Sequence, residues 1–265
     1  MTWDPDLYLR FRDERAQPFY DLLALVEPVA DMDVVDLGCG TGELTAVLVE
    51  KLRARSALGV DKSPEMLDAV AGAPVLRDLS ASPPGTAGLR FALQDITRFD
   101  AGPVFDLVFS NAALHWLPDH PALLARLAAM LKPGGQLAVQ MPRNEHHPGH
   151  RLAAELASEA PWQAELGGFV QRFNVDSPAA YATLLASLGF QRTHVRLQVY
   201  SHRMPDGATV ADFLAGSLLT GYKQRLTPAR YREFFAEYRR RVGEALGVDR
   251  PYLYTFERLL FWARS

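Results

Sequence analysis

The chain has 265 residues, 48% of them hydrophobic, a formal net charge of −3 and one cysteine, Cys39. That length and apolar content suit a large α/β domain with insertions. The slight acidity disfavours a general nucleic-acid binder, and a lone cysteine excludes an intramolecular disulfide and points to a reducing compartment.

The opening stretch MTWDPDLYLRFRDER is too charged for a signal peptide, and no apolar run approaches the ~18 residues of a membrane span. The expectation is a cytoplasmic protein that works on a small molecule, with neither nucleic acid nor membrane as partner. Its oligomeric state has no signature in the sequence.

In chain order, DVVDL (33–37) reads as a strand, ELTAVLVEKLRA (43–54) as an amphipathic helix and SALGVD (56–61) as a second strand. SPEMLDAV (63–70) opens with a serine cap, a proline at the first helical position and Glu65 in the first turn, so it starts a helix. The segment 71–88 has the Pro/Gly/Ser/Ala composition of an exposed loop. LRFALQD (89–95) and FDLVFSN (105–111) are the next strands. DHPALLARLAAMLKPGG (119–135) reads as a helix that stops at Pro-Gly-Gly, followed by the strand QLAVQMP (136–142).

Strands alternating with helices imply a parallel sheet covered on both faces. After Pro142, helical patterns cover 149–166, 177–188 and 208–246, and two strands, 193–204 and 255–264, complete the sheet. The expected fold is α/β, doubly wound, with a mostly parallel seven-stranded sheet in a single domain, 1–265. Its cofactor-binding core spans 31–142, and 149–188 and 208–246 form a helical insert or lid over the ligand edge.

Three glycines follow the first strand at alternate positions, Gly38, Gly40 and Gly42 in VVDLGCGTGELT. A glycine-rich loop at a strand's carboxyl end lets backbone approach a ligand. The spacing is G-x-G-x-G. A dinucleotide fingerprint needs glycine where Glu43 stands, and a P-loop needs a following lysine. Asp36 before the loop repels phosphate and suits a cation. The second strand ends in Asp61, placed for ribose hydroxyls. LQDIT puts Asp95 beside apolar Ile96, an acid for an adenine amine and a cover for its ring.

VVDLGCGTGELT, GVDKSPEML, LQDIT, FDLVFSNAALHW and LKPGGQLAVQ together resemble the ordered motifs of S-adenosylmethionine-dependent methyltransferases of the seven-stranded, Rossmann-like class. The resemblance implies S-adenosyl-L-methionine as cofactor. Gly38, Gly40 and Gly42 would face its methionine part, Asp61 would hold the ribose, Asp95 and Ile96 the adenine, and Asn111 and Ala112 would line its other side; Asp36, Lys62 and Met66 are further cofactor-binding candidates.

A narrower resemblance, carried by WDPDLYLRFRDER (3–15), NAALHWLPDH (111–120), VQMPRN (139–144) and RMPDG (203–207), is to trans-aconitate methyltransferases, which esterify a carboxylate of a small polyacid. It places Tyr8, His115 and Trp116 on the substrate side. Several carboxylates call for arginines, lysines or other donors. The candidates are Arg10, Arg12, Arg15, Arg143, Asn144, Lys223 and Arg225, Arg15, Arg143 and Lys223 foremost.

A carboxylate nucleophile needs no catalytic base. The alternative is an amine, carbon acid or hydroxyl substrate with His115 as base. The family pattern carries an arginine and a proline where GSLLTGYKQRL (216–226) has Thr220 and Gly221, so Lys223 or Arg225 would have to stand in. HHPGH (146–150) lacks the acid or cysteine partners of a metal site, and no metal is expected. Cys39 reads as a small packing residue.

Overall fold

The computed structural model describes residues 12–70, 74–76 and 87–265. Its strands are β1 (Asp33–Leu37), β2 (Ser56–Asp61), β3 (Val75–Leu76), β4 (Gly88–Leu93), β5 (Phe105–Asn111), β6 (Leu131–Pro142), β7 (Arg192–Met204) and β8 (Tyr252–Arg264). They form one sheet in the order β3-β4-β2-β1-β5-β6-β8-β7. Pairings among β4, β2, β1, β5 and β6 are parallel, and β8 runs antiparallel to β6. The seven expected strands are present, and two-residue β3 adds an eighth. Strand order reverses at β1, whose neighbours β2 and β5 lie on opposite sides. Ligands of open α/β sheets bind at such a switch point.

The helices are α1 (Arg12–Leu23), α2 (Glu43–Leu52), α3 (Pro64–Asp68), α4 (His120–Ala129), α5 (Pro148–Ala157), α6 (Trp162–Glu165), α7 (Pro178–Ser187), α8 (Thr209–Ala215), α9 (Thr220–Arg225) and α10 (Pro228–Leu246). Four of them start alike. Ser63, Asp119, Ser177 and Thr227 each accept the N–H three residues on, with a proline in the first turn. The cap satisfies an orphan donor, and the proline sits where no donor is needed.

Several boundaries differ from expectation. The helix expected over 119–135 ends at Ala129, because Leu131 pairs with Phe105 and the irregular LKPGG stretch belongs to β6. Pro133 has no N–H to continue a helix, and Gly134 has φ +77°. The stretch 149–166 is two helices, α5 and α6, with Pro161 in the break. The stretch 208–246 is three, broken near Gly216 and at Thr227-Pro228. Within the expected loop 71–88, Val75 and Leu76 pair with Phe91 and Ala92. α1 is not evident from sequence, since Pro18 lies inside it.

By contact the chain divides into two compact units. The sheet unit holds Gln17–Pro142, Asn174–Gln198 and Arg258–Ser265. The helical unit holds Arg143–Phe173 and Val199–Glu257. In the sheet unit, successive strand residues point to opposite faces. Val35, Leu58 and Val108 pack with Leu123, Leu127 and Tyr181. Their neighbours Val34, Ala57 and Leu107 pack with Phe19, Leu22, Leu48 and Leu52. The sheet unit is therefore three layers. The helical unit has its own core around Trp162, Phe213, Tyr222, Phe234, Tyr238 and Tyr254.

Candidate functional site

The glycine loop leaves β1 and is pinned to the end of β2. Gly38 N–H donates to Val60 O at 2.7 Å and Cys39 N–H to the same oxygen at 3.2 Å. Gly38, Gly40 and Gly42 have φ of +80°, +57° and +74°. Gly38 is required twice over, because a Cβ there would sit 2.2 Å from the Ala113 Cβ. A Cβ on Gly40 would meet nothing within 4 Å among the described residues, so the backbone borders open space there.

The three strand-end acids do different work. Asp36 is 4% exposed, and Thr45 Oγ1 donates to its Oδ2 at 2.6 Å. Burial, with the Asp61 charge adding to it, pushes the Asp36 carboxyl up to about 6. Asp61 holds the loop: Gly40 N–H donates to Oδ2 and Ser63 N–H to Oδ1, both at 2.9 Å. A carboxylate has about four acceptor positions, so lone pairs remain for hydroxyl donors. Asp95 Oδ1 accepts both the N–H and the hydroxyl of Thr97 at 2.8 Å. Those bonds, the backbone one foremost, hold its carboxyl below the usual range.

The remaining cofactor candidates gather around these. Lys62 is exposed and its charge acts on Asp95. Ile96 packs on the sheet unit's core and lies 3.8 Å from the Cβ position of Gly38. Met66 is 48% exposed on α3. At the end of β5, Ala112 has φ +55° and donates its N–H to Gln140 O at 2.9 Å. Asn111 Oδ1 is buried without a hydrogen-bond partner among the described residues. An orphaned acceptor beside paired acids and open backbone fits a ligand that carries donors and positive charge. Burial and the two acids push the Cys39 thiol far up, so it is no thiolate nucleophile.

His115 and Trp116 follow on a 3-10 turn, Leu114–Trp116, the histidine buried and the tryptophan 38% exposed. Their ring centroids are 4.5 Å apart. Arg143, in the helical unit, donates its N–H to Glu257 O at 3.0 Å and has its guanidinium 3.7 Å from Glu145. Asn144 bridges Tyr254 and Glu257 N–H. Lys223 is exposed on α9, with no ion pair among the described residues. Arg225 lies 3.7 Å over the Phe169 ring and donates to Gly221 O at 3.0 Å. Arg12 and Arg15 belong to α1, and Tyr8 and Arg10 lie outside the described residues.

At Gly221 a Cβ would meet Gln171 Oε1 at 2.6 Å and the Phe169 ring at 2.8 Å, so the space of the expected side chain is filled from residues 169–171. The histidines of HHPGH diverge. His146 is exposed beside Glu145, His147 accepts Gly149 N–H and bonds the Tyr252 hydroxyl, and His150 packs between Phe173 and Phe256. Among the described residues no group of three or more His, Cys, Asp or Glu is arranged to hold a metal. No helix among them is long and apolar enough to cross a membrane.

Sequence reasoning missed Thr45, Ala113 and Phe91, which meets the Cβ positions of Gly42 and Gly59. Only Thr45 left a trace, as a hydroxyl on the helix that the loop opens.

A family model described as a methyltransferase domain matches residues 8–195. The trans-aconitate 2-methyltransferase of Deinococcus radiodurans is 43% identical over 270 residues, covering 99% of this chain and 98% of its own length. That of Variovorax paradoxus is 36% identical over 271 residues, covering 100% and 99%. Phosphoethanolamine N-methyltransferase 2 of Haemonchus contortus, solved in complex with S-adenosyl-L-methionine, is similar in fold with a TM-score of 0.54 at 14% identity, covering 94% of this chain and 52% of that one. With end-to-end identity of this size and a methyltransferase domain over most of its length, the chain belongs to the trans-aconitate 2-methyltransferase family.

Proposed function

We propose that the chain transfers a methyl group from S-adenosyl-L-methionine to a carboxylate oxygen of trans-aconitate, giving a methyl ester. The observation that carries this reading is the full-length match to trans-aconitate 2-methyltransferases. When bound, the cofactor supplies an electrophilic methyl carbon on a sulfonium and a neutral thioether as leaving group. The chain's residues hold and orient. Asp36 and the Gly38–Gly42 backbone take the methionine part, Asp61 accepts from ribose hydroxyls beside Lys62 and Met66, Asp95 and Ile96 take the adenine, and Asn111 Oδ1 and Ala112 line the other side.

A carboxylate with a reference pKa near 4 is already ionised at neutral pH, so no proton has to be removed. Alignment of the attacking oxygen can supply roughly 7–11 kcal/mol of barrier reduction. His115 and Trp116, with Tyr8, Arg15, Arg143 and Lys223, are the proposed contacts of the acid. A small molecule as partner, no nucleic acid and a cytoplasmic location belong to the same proposal; the net charge of −3 supports the second of these.

The test is a transfer assay with methyl-labelled cofactor across di- and tricarboxylic acids. A base-labile methyl ester of trans-aconitate is expected, and no transfer to any polyacid overturns the reading. His115→Gln separates it from base-dependent methylation of an amine, carbon acid or hydroxyl. The ester-forming reaction keeps kcat within about tenfold, whereas loss of a required base costs about 10²–10⁴-fold.

A further inference from the structure

The turn that carries His115 and Trp116 is anchored by a directional relay within the sheet unit. His120, the first residue of α4, is 7% exposed. Its Nε2 lies 3.0 Å from Leu114 O, and its Nδ1 meets the Tyr181 hydroxyl. A carbonyl only accepts, so Nε2 carries the proton. The ring is neutral, since burial lowers its basicity. Nδ1 is then an acceptor and Tyr181 must donate to it. The phenol oxygen in turn accepts Asp176 N–H at 3.3 Å. Each bond therefore has one direction: Asp176 N–H to Tyr181, Tyr181 O–H to His120, and His120 Nε2–H to Leu114 O.

The far end of this relay is fixed in the core. Tyr181 is 2% exposed on α7 and stacks on Phe261 with centroids 5.2 Å apart and planes at 22°. The near end is the turn itself, where Leu114 O also accepts Leu117 N–H at 2.9 Å. The stretch before α7 adds a second tie, Asn174 N–H to His115 O at 3.1 Å. The charges facing the imidazole are Asp119, from the cap of α4, and Asp176, from the segment before α7; Tyr181 is its titratable neighbour. A turn this short has little hydrogen bonding of its own, so its position is set from outside.

We propose that His120 and Tyr181 are positioning residues for methyl transfer: their relay to Leu114 O fixes the turn that presents His115 and Trp116 to the acid. This rests on the reading above that the turn faces the substrate. A misplacement of about 1 Å at a substrate-orienting group can cost about a hundredfold in rate.

The test uses the full chain with Tyr181→Phe, His120→Ala and His120→Gln. Tyr181→Phe keeps the ring and its stacking. His120→Gln keeps an amide N–H for Leu114 O and an amide oxygen for Tyr181. In Tyr181→Phe and His120→Ala, kcat/KM for trans-aconitate falls about tenfold to a hundredfold, while the dissociation constant for S-adenosylhomocysteine stays within about twofold. His120→Gln recovers most of that loss, and adding Tyr181→Phe to it abolishes the recovery.

Independently of any substrate, hydrogen exchange of the peptide 112–118 speeds up in Tyr181→Phe. Unchanged exchange there, unchanged kcat/KM in a folded variant, or a loss that tracks cofactor affinity overturns the relay. Should the wild type methylate no polyacid, the proposed function fails, and the exchange measurement alone decides whether the relay holds the turn.

Discussion

Both units bury histidine, His120 in the sheet unit and His150 in the helical unit, but they differ in the acids they bury. The sheet unit buries an acid, Asp36, against Thr45, and lets other acids hold backbone N–H groups at strand ends. The helical unit buries neutral histidines. His147 and His150 are pushed down by burial to about 4 and about 3. The helical unit's arginines are mostly spent on its own acids: Arg151 on Glu155, Arg230 on Glu165, Arg239 on Asp212, and Arg241 on Glu159 and Glu237. An arginine-rich helical segment thus signals ion-paired helices more than a polyanion site. Lys223, proposed above as a contact of the acid, has no ion pair among the described residues.

The sharpest way to break this division is to put the same methyl group into each unit. Gly38→Ala places a Cβ 2.2 Å from Ala113 on a backbone at φ +80°. A left-handed alanine costs about 1–2 kcal/mol by itself, and the overlap must move the loop or the turn after β5. Titration calorimetry is expected to show cofactor affinity reduced at least about a thousandfold, roughly 4 kcal/mol. Affinity within tenfold of wild type would mean that the loop is not the cofactor site. Gly221→Ala meets first the Gln171 side chain and the Phe169 ring, side chains rather than backbone. Overpacking there is expected to lower the stability of the helical unit by about 1–3 kcal/mol and to leave cofactor affinity alone.

The contrast between those glycines marks what the sequence makes legible. Gly38, Asp36, Asp61 and Asp95 are readable because each sits at the end of a short apolar run, and strand ends of a parallel sheet converge by topology. The cap of α3 is readable from Ser63-Pro64, and Ser177-Pro178 and Thr227-Pro228 carry the same signal. The need for glycine at 38 depends on Ala113, far along the chain, and Gly221 depends on Phe169 and Gln171. No local pattern encodes such contacts. The same limit explains LKPGG, whose helical continuation is overridden by the pairing of Leu131 with Phe105. The expected helical stretch 208–246 breaks at Thr227-Pro228, where that local cap signal stands, and near Gly216.

Acidification probes the comparison next, and its sign differs between the buried histidines of α5 and the buried acid of β1. A histidine whose folded pKa lies below its unfolded value of about 6.5 binds its proton more readily when unfolded. Its contribution is intact above about pH 6.5 and is lost as the pH falls toward the folded value, about 3 for His150. Between pH 7 and pH 5 that residue alone costs the helical unit about 2 kcal/mol, and His147 adds in the same direction. Hydrogen exchange of peptides from α5, corrected for intrinsic rates, is expected to lose protection over this range. Protection that rises or stays level would show that these imidazoles are not buried as neutral rings.

Asp36 should give the smallest effect, and the opposite one. Its folded pKa of about 6 lies above the ordinary value of 3.8, so the folded chain holds the proton at a pH where the unfolded chain has released it. Burying the carboxylate is fully unfavourable above about pH 6, and the penalty fades as the pH falls toward 4. From pH 7 to pH 5 the Asp36 contribution therefore improves by about 1 kcal/mol, read as slower exchange of β1 amides while α5 amides speed up. Asp36→Asn keeps an acceptor for Thr45 Oγ1 and removes the titration, so the gain should vanish in that variant. An undiminished gain would assign it to another group. The same variant says why a costly charge is kept: if Asp36 faces the cationic part of S-adenosyl-L-methionine, Asp36→Asn weakens binding at pH 7 by about tenfold, since a partly buried opposite charge is worth about 1–3 kcal/mol in such a setting. In the wild type, affinity should then fall as the pH drops through 6, because the cation and the proton compete for one carboxylate.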